Sequence, residues 1–252
     1  MVNSDHAIGI TPTPATCQHT HGCTATQKRL LTQVWAPTQH ARHPQRFRQQ
    51  EPPRATVKFE PEMWIAGVDE AGRGPIAGPV VAACVVLPDR CIPAGIADSK
   101  QLTPAQREQL DGAIKRTALA WAIGIASPRE IERHNILHAS LLAMRRAVLA
   151  LTLTPQQVLI DGKHTIPNLS LPQRAIVDGD AKEACIAAAS ILAKVARDRI
   201  MTELDRLYPC YGFAQHKGYP TALHIERLSL YGACPAHRRT YAPVAQQLIL
   251  SR

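Results

Sequence analysis

No uninterrupted apolar run in this 252-residue chain reaches membrane-spanning length, and the amino terminus lacks the basic-then-apolar order of a secretory leader. Cysteine pairing is missing too. Seven cysteines, an odd number and widely scattered, do not make a disulfide framework, and the expectation is a reduced, soluble protein of the cytoplasm. No internal repeat is found. No glycine-rich loop ends in Gly-Lys-Ser/Thr, which disfavours a phosphate-binding P-loop. No Ser–His–Asp or Cys–His constellation is suggested, because the eleven histidines are dispersed along the chain. Acids are the scarcer charge: 20 Asp and Glu stand against 29 Lys and Arg, giving a formal net charge of +9. That balance points to a polyanionic partner, although charge alone does not separate nucleic acid from an anionic membrane surface. What is present in quantity is core-forming material, 45% hydrophobic residues, enough for one sizeable domain.

Composition divides the chain near residue 60. Residues 1–60 are rich in Thr, His, Gln, Pro and Arg, have few acids and show no sustained hydrophobic period, so a disordered extension is expected there. Its Cys17-x-His19-x-His21-x-Cys23 cluster has zinc-ligand residue types, but alternating spacing suits a compact knuckle poorly. Arginine is too scarce in its first twenty-odd residues for a transit peptide, and Met63 is an alternative start.

Residues 61–252 read as one α/β domain. WIAGV (Trp64–Val68) and VVAACVVL (Val80–Leu87) are expected to be buried strands joined by a glycine-rich turn. Thr103-Pro104-Ala105-Gln106 is a capping box that opens a helix to about Arg116. WAIGIA (Trp121–Ala126) is a further strand; Ser127-Pro128-Arg129-Glu130 starts a short helix, and a longer one begins at Ile136. QVLIDG (Gln157–Gly162) and RAIVDGD (Arg174–Asp180) each run an apolar strand into an acid, before a long helix from about Ala181 to Leu207. The loop YGFAQHKGY and a helix from Thr221 to about Leu230 complete the pattern.

Three strands therefore lead into acids: Asp69 with Glu70, Asp161, and Asp178 or Asp180. Buried carboxylates need positive partners, and basic side chains or a metal ion can supply them. Four acids without a matching ring of lysines favour hard divalent cations such as Mg²⁺, which take oxygen ligands and keep waters and substrate phosphates. Two ions about 4 Å apart would activate water and stabilise the leaving oxygen of a phosphodiester. Taken singly, each acid has a plainer use. Asp161-Gly162 suits a turn, and Asp180-x-x-Glu183 suits a helix cap. Ser190, Lys194 and Arg197 recur at i, i+4 and i+7, which places them on one face of the long helix, either as a solvated stripe or as phosphate contacts.

Five ordered blocks, GVDEAGRGPIAGPVV, DSKQLTPAQRE, LIDG, VDGDAKEACIAAASILAKVARDR and HKGYPTALH, together resemble the ribonuclease HII family from about Trp64 to Tyr241. The resemblance implies a ribonuclease H-like fold, a mixed sheet flanked by helices with a helical carboxy-terminal region. It places four catalytic, metal-holding acids on Asp69, Glu70, Asp161 and Asp180, with Mg²⁺ or Mn²⁺ as cofactor, two ions in the substrate complex. It implies a monomer acting on RNA–DNA hybrids and on duplex DNA with single ribonucleotides, cut on the 5′ side to leave a 3′-hydroxyl and a 5′-phosphate. Substrate contacts fall on Gly72, Arg73, Gly74, Lys100, Ser190 and Lys194, with Tyr219 stacking at the RNA–DNA junction. A half-buried aromatic with a wet hydroxyl is the plainer use of that tyrosine. Two positions depart from the family pattern: Asp178 stands where lysine is frequent, and Gln101 replaces a second lysine in the DSK block.

Overall fold

The computed structural model describes residues 39–40, 63–88, 92–96 and 102–250. Its centre is a mixed sheet. Strands β2 (Ile65–Ala71), β3 (Val80–Val86) and β4 (Ala120–Ala126) run antiparallel to their neighbours, while β5 (Gln157–Asp161) and β6 (Gln173–Ile176) add parallel on the far side of β2. A two-residue strand, β1 (Gln39–His40), pairs with the outer edge of β4, so the order is β1-β4-β3-β2-β5-β6. Apart from that pair, the expectation for residues 1–60 lies outside the described residues.

Alternation along the strands divides the core in two. Ala66, Val68, Val80, Ala82, Cys84, Val158 and Ile160 face helix α2 (Pro128–Leu149), through Ala139, Ala143, Met144 and Ala147. Val81, Ala83, Val85, Ile123 and Ile125 face the opposite way. They meet α1 (Pro104–Thr117) and the long helix α3 (Ala184–Leu207), whose stripe Ala187, Ala188, Ile191, Leu192 and Val195 has helical spacing. Two helix starts are where the sequence puts them. Both Thr103 and Ser127 close reciprocal capping boxes, with Gln106 and Glu130. The expected break before Ile136 is present as Asn135, at φ 61°, whose Oδ1 accepts from the His138 N–H at 3.2 Å.

Three expectations change in detail. Strand β2 does not stop at Val68 but continues through Asp69 and Glu70, because the ladder with β3 pairs them with Ala83 and Ala82. Strand β6 ends at Ile176, and Asp180 lies in a 3-10 turn over Gly179–Ala181. The long helix consequently starts at Ala184 with Glu183 at its N-cap, so Asp180 is not a cap. Cys84 and Cys185 are free thiols, but Cys210 is disulfide-bonded, which departs from a wholly reduced chain.

The helical carboxy-terminal region comprises α4 (Phe213–His216), α5 (Ala222–Tyr231) and α6 (Ala242–Leu250). Its own small core, Phe213, Tyr211, Met201, Leu204 and Ala236, closes on Ala77 of the glycine-rich turn. Among the described residues no helix is long and apolar enough to cross a membrane.

The position of α3 over β2 depends on Gly67. An added Cβ there would lie 2.2 Å from the main-chain carbon of Cys185, so any side chain pushes the start of the helix off the sheet. Gly67→Ala should lower the melting temperature. Overpacking of this kind costs about 1–3 kcal/mol, or roughly 2–12 °C in a domain of this size. Thermal denaturation checks this, and an unchanged midpoint would mean that α3 is not held that closely.

Candidate active site

The parallel pairing of β2 with β5 sets the site. Val68 stands opposite Ile160, so Asp69 and Asp161 follow side by side on neighbouring strands. Val68 and Ile160 both face α2, and alternation turns Asp69 and Asp161 to the other face, beneath the first turns of α3. Asp180 comes in from the turn after β6, and it is buried with 8% of its surface exposed. Its neighbour Asp178 is exposed, with a left-handed backbone at φ 53°. Burial thus separates the two acids that the sequence left as alternatives.

Asp69, Glu70 and Asp161 each have a tether within the fold. Asp69 Oδ1 accepts from the Glu70 N–H at 2.7 Å, and the Ser190 hydroxyl donates to the same carboxylate. Arg73 Nη1 donates to Glu70 Oε1 at 3.2 Å, so the arginine isolated between two glycines supplies one positive partner. Asp161 Oδ1 accepts from the Gly179 N–H at 2.8 Å, which ties the end of β5 to the turn carrying Asp180. Burial first, then the charges of Glu70 and Asp161, push the Asp69 carboxyl up to about 8. Burial also raises Glu70, against the opposing pull of Arg73. Among the described residues no three His, Cys, Asp or Glu side chains form a ready-made chelating group. The carboxylates line an edge rather than enclose a point.

A cleft of about 260 Å³ opens over this edge, bordered by Glu70, Gly72, Asp180, Ser190, Lys194 and Tyr219. Most of the residues singled out in the sequence are thus brought together, although Lys194 is ion-paired with Asp198 at 2.7 Å. Lys100, with Asp98, Ser99 and Gln101, lies outside the described residues.

Arg197 is a correction. Instead of a solvated or phosphate-facing stripe, it is 1% exposed, with Nε donating to the Pro79 carbonyl at 3.1 Å and Nη2 to that of Ala77 at 3.2 Å. Helical spacing gave the right face but not its depth, since α3 presses that face against the glycine-rich turn. Burial, with the nearby Arg238, lowers the Arg197 guanidinium to about 10, which leaves it charged at neutral pH.

Arg238 went unnoticed in the sequence, and it holds the same turn. It is fully buried and donates to the carbonyls of Gly72 at 2.6 Å, Arg73 at 2.9 Å, Gly78 at 2.9 Å and Pro79 at 3.0 Å. The Tyr241 hydroxyl also donates to the Arg73 carbonyl, at 2.9 Å. No peptide bond in the described chain is cis. In a trans peptide the C=O of one residue and the N–H of the next point opposite ways. Carbonyls of Gly72 and Arg73 drawn inward therefore turn the N–H groups of Arg73 and Gly74 outward, on a stretch that is exposed. Gly72 itself has no alternative: its φ is 97°, and a Cβ would fall 2.0 Å from Arg197 Nε. The Tyr219 ring, 46% exposed, stands beside this turn, with its edge 3.6 Å from where a Gly74 Cβ would be. The signal available in the sequence was the basic pair Arg238-Arg239 next to Tyr241, with no periodic context to give it a direction.

With this geometry in place, similarity to known proteins is informative. The family model described as Ribonuclease HII matches residues 66–244. Ribonuclease HII of Acidovorax sp. (strain JS42) is 57% identical over 195 residues, 77% of this chain and 93% of that protein. Ribonuclease HII of Desulfitobacterium hafniense (strain DSM 10664 / DCB-2) is 52% identical over 200 residues, covering 77% and 76%. Among solved structures, ribonuclease H2 from Pyrococcus horikoshii OT3 superposes with a TM-score of 0.64 at 31% identity, over 73% of this chain and 97% of that one.

The crowding at Asp69 predicts a pH dependence. Its carboxyl sits at about 8 in the metal-free fold, against about 3.9 when unfolded. The folded state therefore binds more protons between those values, and this contribution to stability is full below pH 4 and is lost as pH rises through 8. Asp69→Asn removes the charge. Metal-free Asp69→Asn should melt a few degrees above wild type at pH 8, and the gap should close towards pH 4. Melting curves in excess chelator test this, and a variant less stable than wild type at pH 8 would contradict the crowding.

Proposed function

The chain belongs to the ribonuclease HII family, and on that premise we propose that it incises duplex DNA on the 5′ side of a single embedded ribonucleotide, leaving a 3′-hydroxyl and a 5′-phosphate. The coarser activity follows from family membership: a type HII ribonuclease H, an endonuclease that cleaves the RNA of RNA–DNA hybrids. The observation that carries the finer reading is the outward pair of N–H groups on Arg73 and Gly74, beside an exposed Tyr219 and a row of carboxylates. Main-chain donors can bind a 2′-hydroxyl, the group that distinguishes RNA from DNA at a given position. An exposed aromatic ring offers a stacking face to the adjoining deoxynucleotide, whatever its base.

The residues fit a hard divalent cation, Mg²⁺ or Mn²⁺. Asp69, Glu70, Asp161 and Asp180 supply only oxygen, and the burial and repulsion that raise Asp69 call for positive charge between these groups. An open edge suits ions that keep waters and accept substrate phosphate oxygens. When bound, such an ion supplies Lewis acidity at the scissile phosphodiester. The side chains would then do the rest. Ser190 orients Asp69, and Arg73 steadies Glu70. The Gly179 N–H fixes Asp161. Lys194 lies on the wall of the cleft, where exchange of Asp198 for a phosphate would position the strand without reading bases. Removal of misincorporated ribonucleotides and RNA primers, by a monomer in the cytoplasm, is the role consistent with this chemistry.

These assignments are open to direct measurement. Asp180→Asn should reduce metal-dependent cleavage far more than Asp178→Asn, and steady-state rates on one hybrid at matched metal concentration decide between them. A larger loss from Asp178→Asn would move the fourth ligand. Tyr219→Ala should lower single-turnover cleavage of a duplex with one ribonucleotide by about 1–3 kcal/mol of transition-state stabilisation, and that of a long hybrid by less, while Tyr219→Phe stays near wild type. Equal losses on both duplexes would make Tyr219 a packing residue.

A further inference from the structure

Three imidazoles, His216, His224 and His237, are buried in the carboxy-terminal region at 8%, 0% and 1% exposure, away from the acids and unused by the catalytic reading. Their hydrogen bonds fix which nitrogen carries each proton. The Cys234 N–H donates to His237 Nδ1 at 3.1 Å, so the proton of the neutral His237 ring is on Nε2. That Nε2–H meets His224 Nε2 at 3.1 Å, and His224 must accept there. Its remaining proton is then on Nδ1, which donates to the main-chain carbonyl of Tyr219 at 2.8 Å. Burial keeps both rings neutral, lowering His224 to about 4 and His237 to about 3. His216 braces the chain from the side, its ring stacked on His224 at 4.2 Å, and its own carbonyl accepts from the Tyr219 N–H at 2.9 Å.

We propose that His237 and His224 form a positioning relay for Tyr219, a one-way chain of hydrogen bonds that sets the backbone of the stacking residue relative to the Gly72–Gly74 turn. The chain begins where that turn is held. His237 is bridged to Ala77, the next residue is Arg238, and the Ile76 N–H donates to the Gly218 carbonyl at 2.9 Å. One dipeptide thus grips both halves of the nucleotide reader, the turn through Arg238 and the ring through His237 and His224. The exposed ring of Tyr219 has little side-chain packing to aim it, so its direction is inherited from its main chain. This inference rests on the reading that Tyr219 meets the nucleotide.

The test compares kcat/KM on a single-ribonucleotide duplex and on a long hybrid for wild type, His224→Leu, His224→Asn, His237→Asn, Tyr219→Ala and the double variant His224→Leu with Tyr219→Ala. Asparagine at 224 places an amide N–H where Nδ1–H was but offers the His237 Nε2–H no acceptor, so His224→Asn should lose less than His224→Leu without reaching wild type. Asparagine at 237 keeps the bond from Cys234 but loses the donor to His224. His224→Leu and His237→Asn should lose about tenfold on the single-ribonucleotide duplex, the size expected for a broken buried hydrogen bond, and distinctly less on the long hybrid. The double variant should be no worse than Tyr219→Ala. A loss shared equally by both duplexes, or losses that multiply in the double variant, would reduce the histidines to packing and overturn the relay. A ¹⁹F resonance from fluorotyrosine at position 219 reads the positioning without catalysis. It should shift or broaden in His224→Leu, and less in His224→Asn. An unmoved resonance in His224→Leu overturns the relay whatever Tyr219 does, whereas equal losses for Tyr219→Ala alone, with the resonance moved, would overturn the stacking role and keep the relay.

Discussion

Two buried guanidinium groups have to be satisfied without water, and six of their hydrogen bonds go to main-chain carbonyls of one short turn. Arg197 takes Ala77 and Pro79; Arg238 takes Gly72, Arg73, Gly78 and Pro79. Hydrogen bonds to a charged group contribute about 1.5–3 kcal/mol each, and a guanidinium buried without them would cost more than the fold can supply. The turn is therefore pinned from beneath at five carbonyls. With the Gly72 and Arg73 oxygens facing inward, the N–H groups of Arg73 and Gly74 face outward, the polarity suited to a hydroxyl or a phosphate oxygen.

This arrangement ties recognition to chemistry through continuous chain. Strand β2 carries Asp69 and Glu70 and runs directly into Gly72, while Arg73 reaches back to Glu70. The carboxy-terminal helices supply no acid to the edge of the sheet. Their contribution is to deliver Arg238 under the turn and Tyr219 beside it. On the proposed reading, displacement of that region would leave the carboxylates in place and misplace the groups that meet the nucleotide. That reading makes activity on a long hybrid and discrimination of a single ribonucleotide separable.

The sheet, the two capping boxes and the break at Asn135 were legible in the sequence because each depends on local signals: alternation, Thr103 and Ser127 at N-caps, and an apolar period that restarts at Ile136. The pairing of Asp69 with Asp161 was legible as two strands ending in acids, although only the parallel register of β2 and β5 makes them neighbours. Asp180 was ambiguous because its spacing to Glu183 imitates a cap, and only the three-residue turn before α3 removes that use. Arg197 was misjudged and Arg238 overlooked for one reason. Arginine is ordinarily a surface residue, and whether its head is buried depends on carbonyls more than a hundred positions away. The histidine chain was hidden likewise, since dispersed histidines converge only after the carboxy-terminal region has folded on the turn.

The most direct test of this account is the activity of Arg238→Lys on the single-ribonucleotide duplex. Lysine keeps the positive charge, but its single ammonium cannot span carbonyls from Gly72 to Pro79 in the planar fork that arginine provides. Calorimetry first establishes that the variant folds and binds Mn²⁺ as wild type does, so that any loss is assigned to the turn. The account predicts a fall of about tenfold or more in kcat/KM on that duplex, with a smaller fall on a long hybrid. Wild-type kcat/KM on the single-ribonucleotide duplex from folded, metal-binding Arg238→Lys would contradict it.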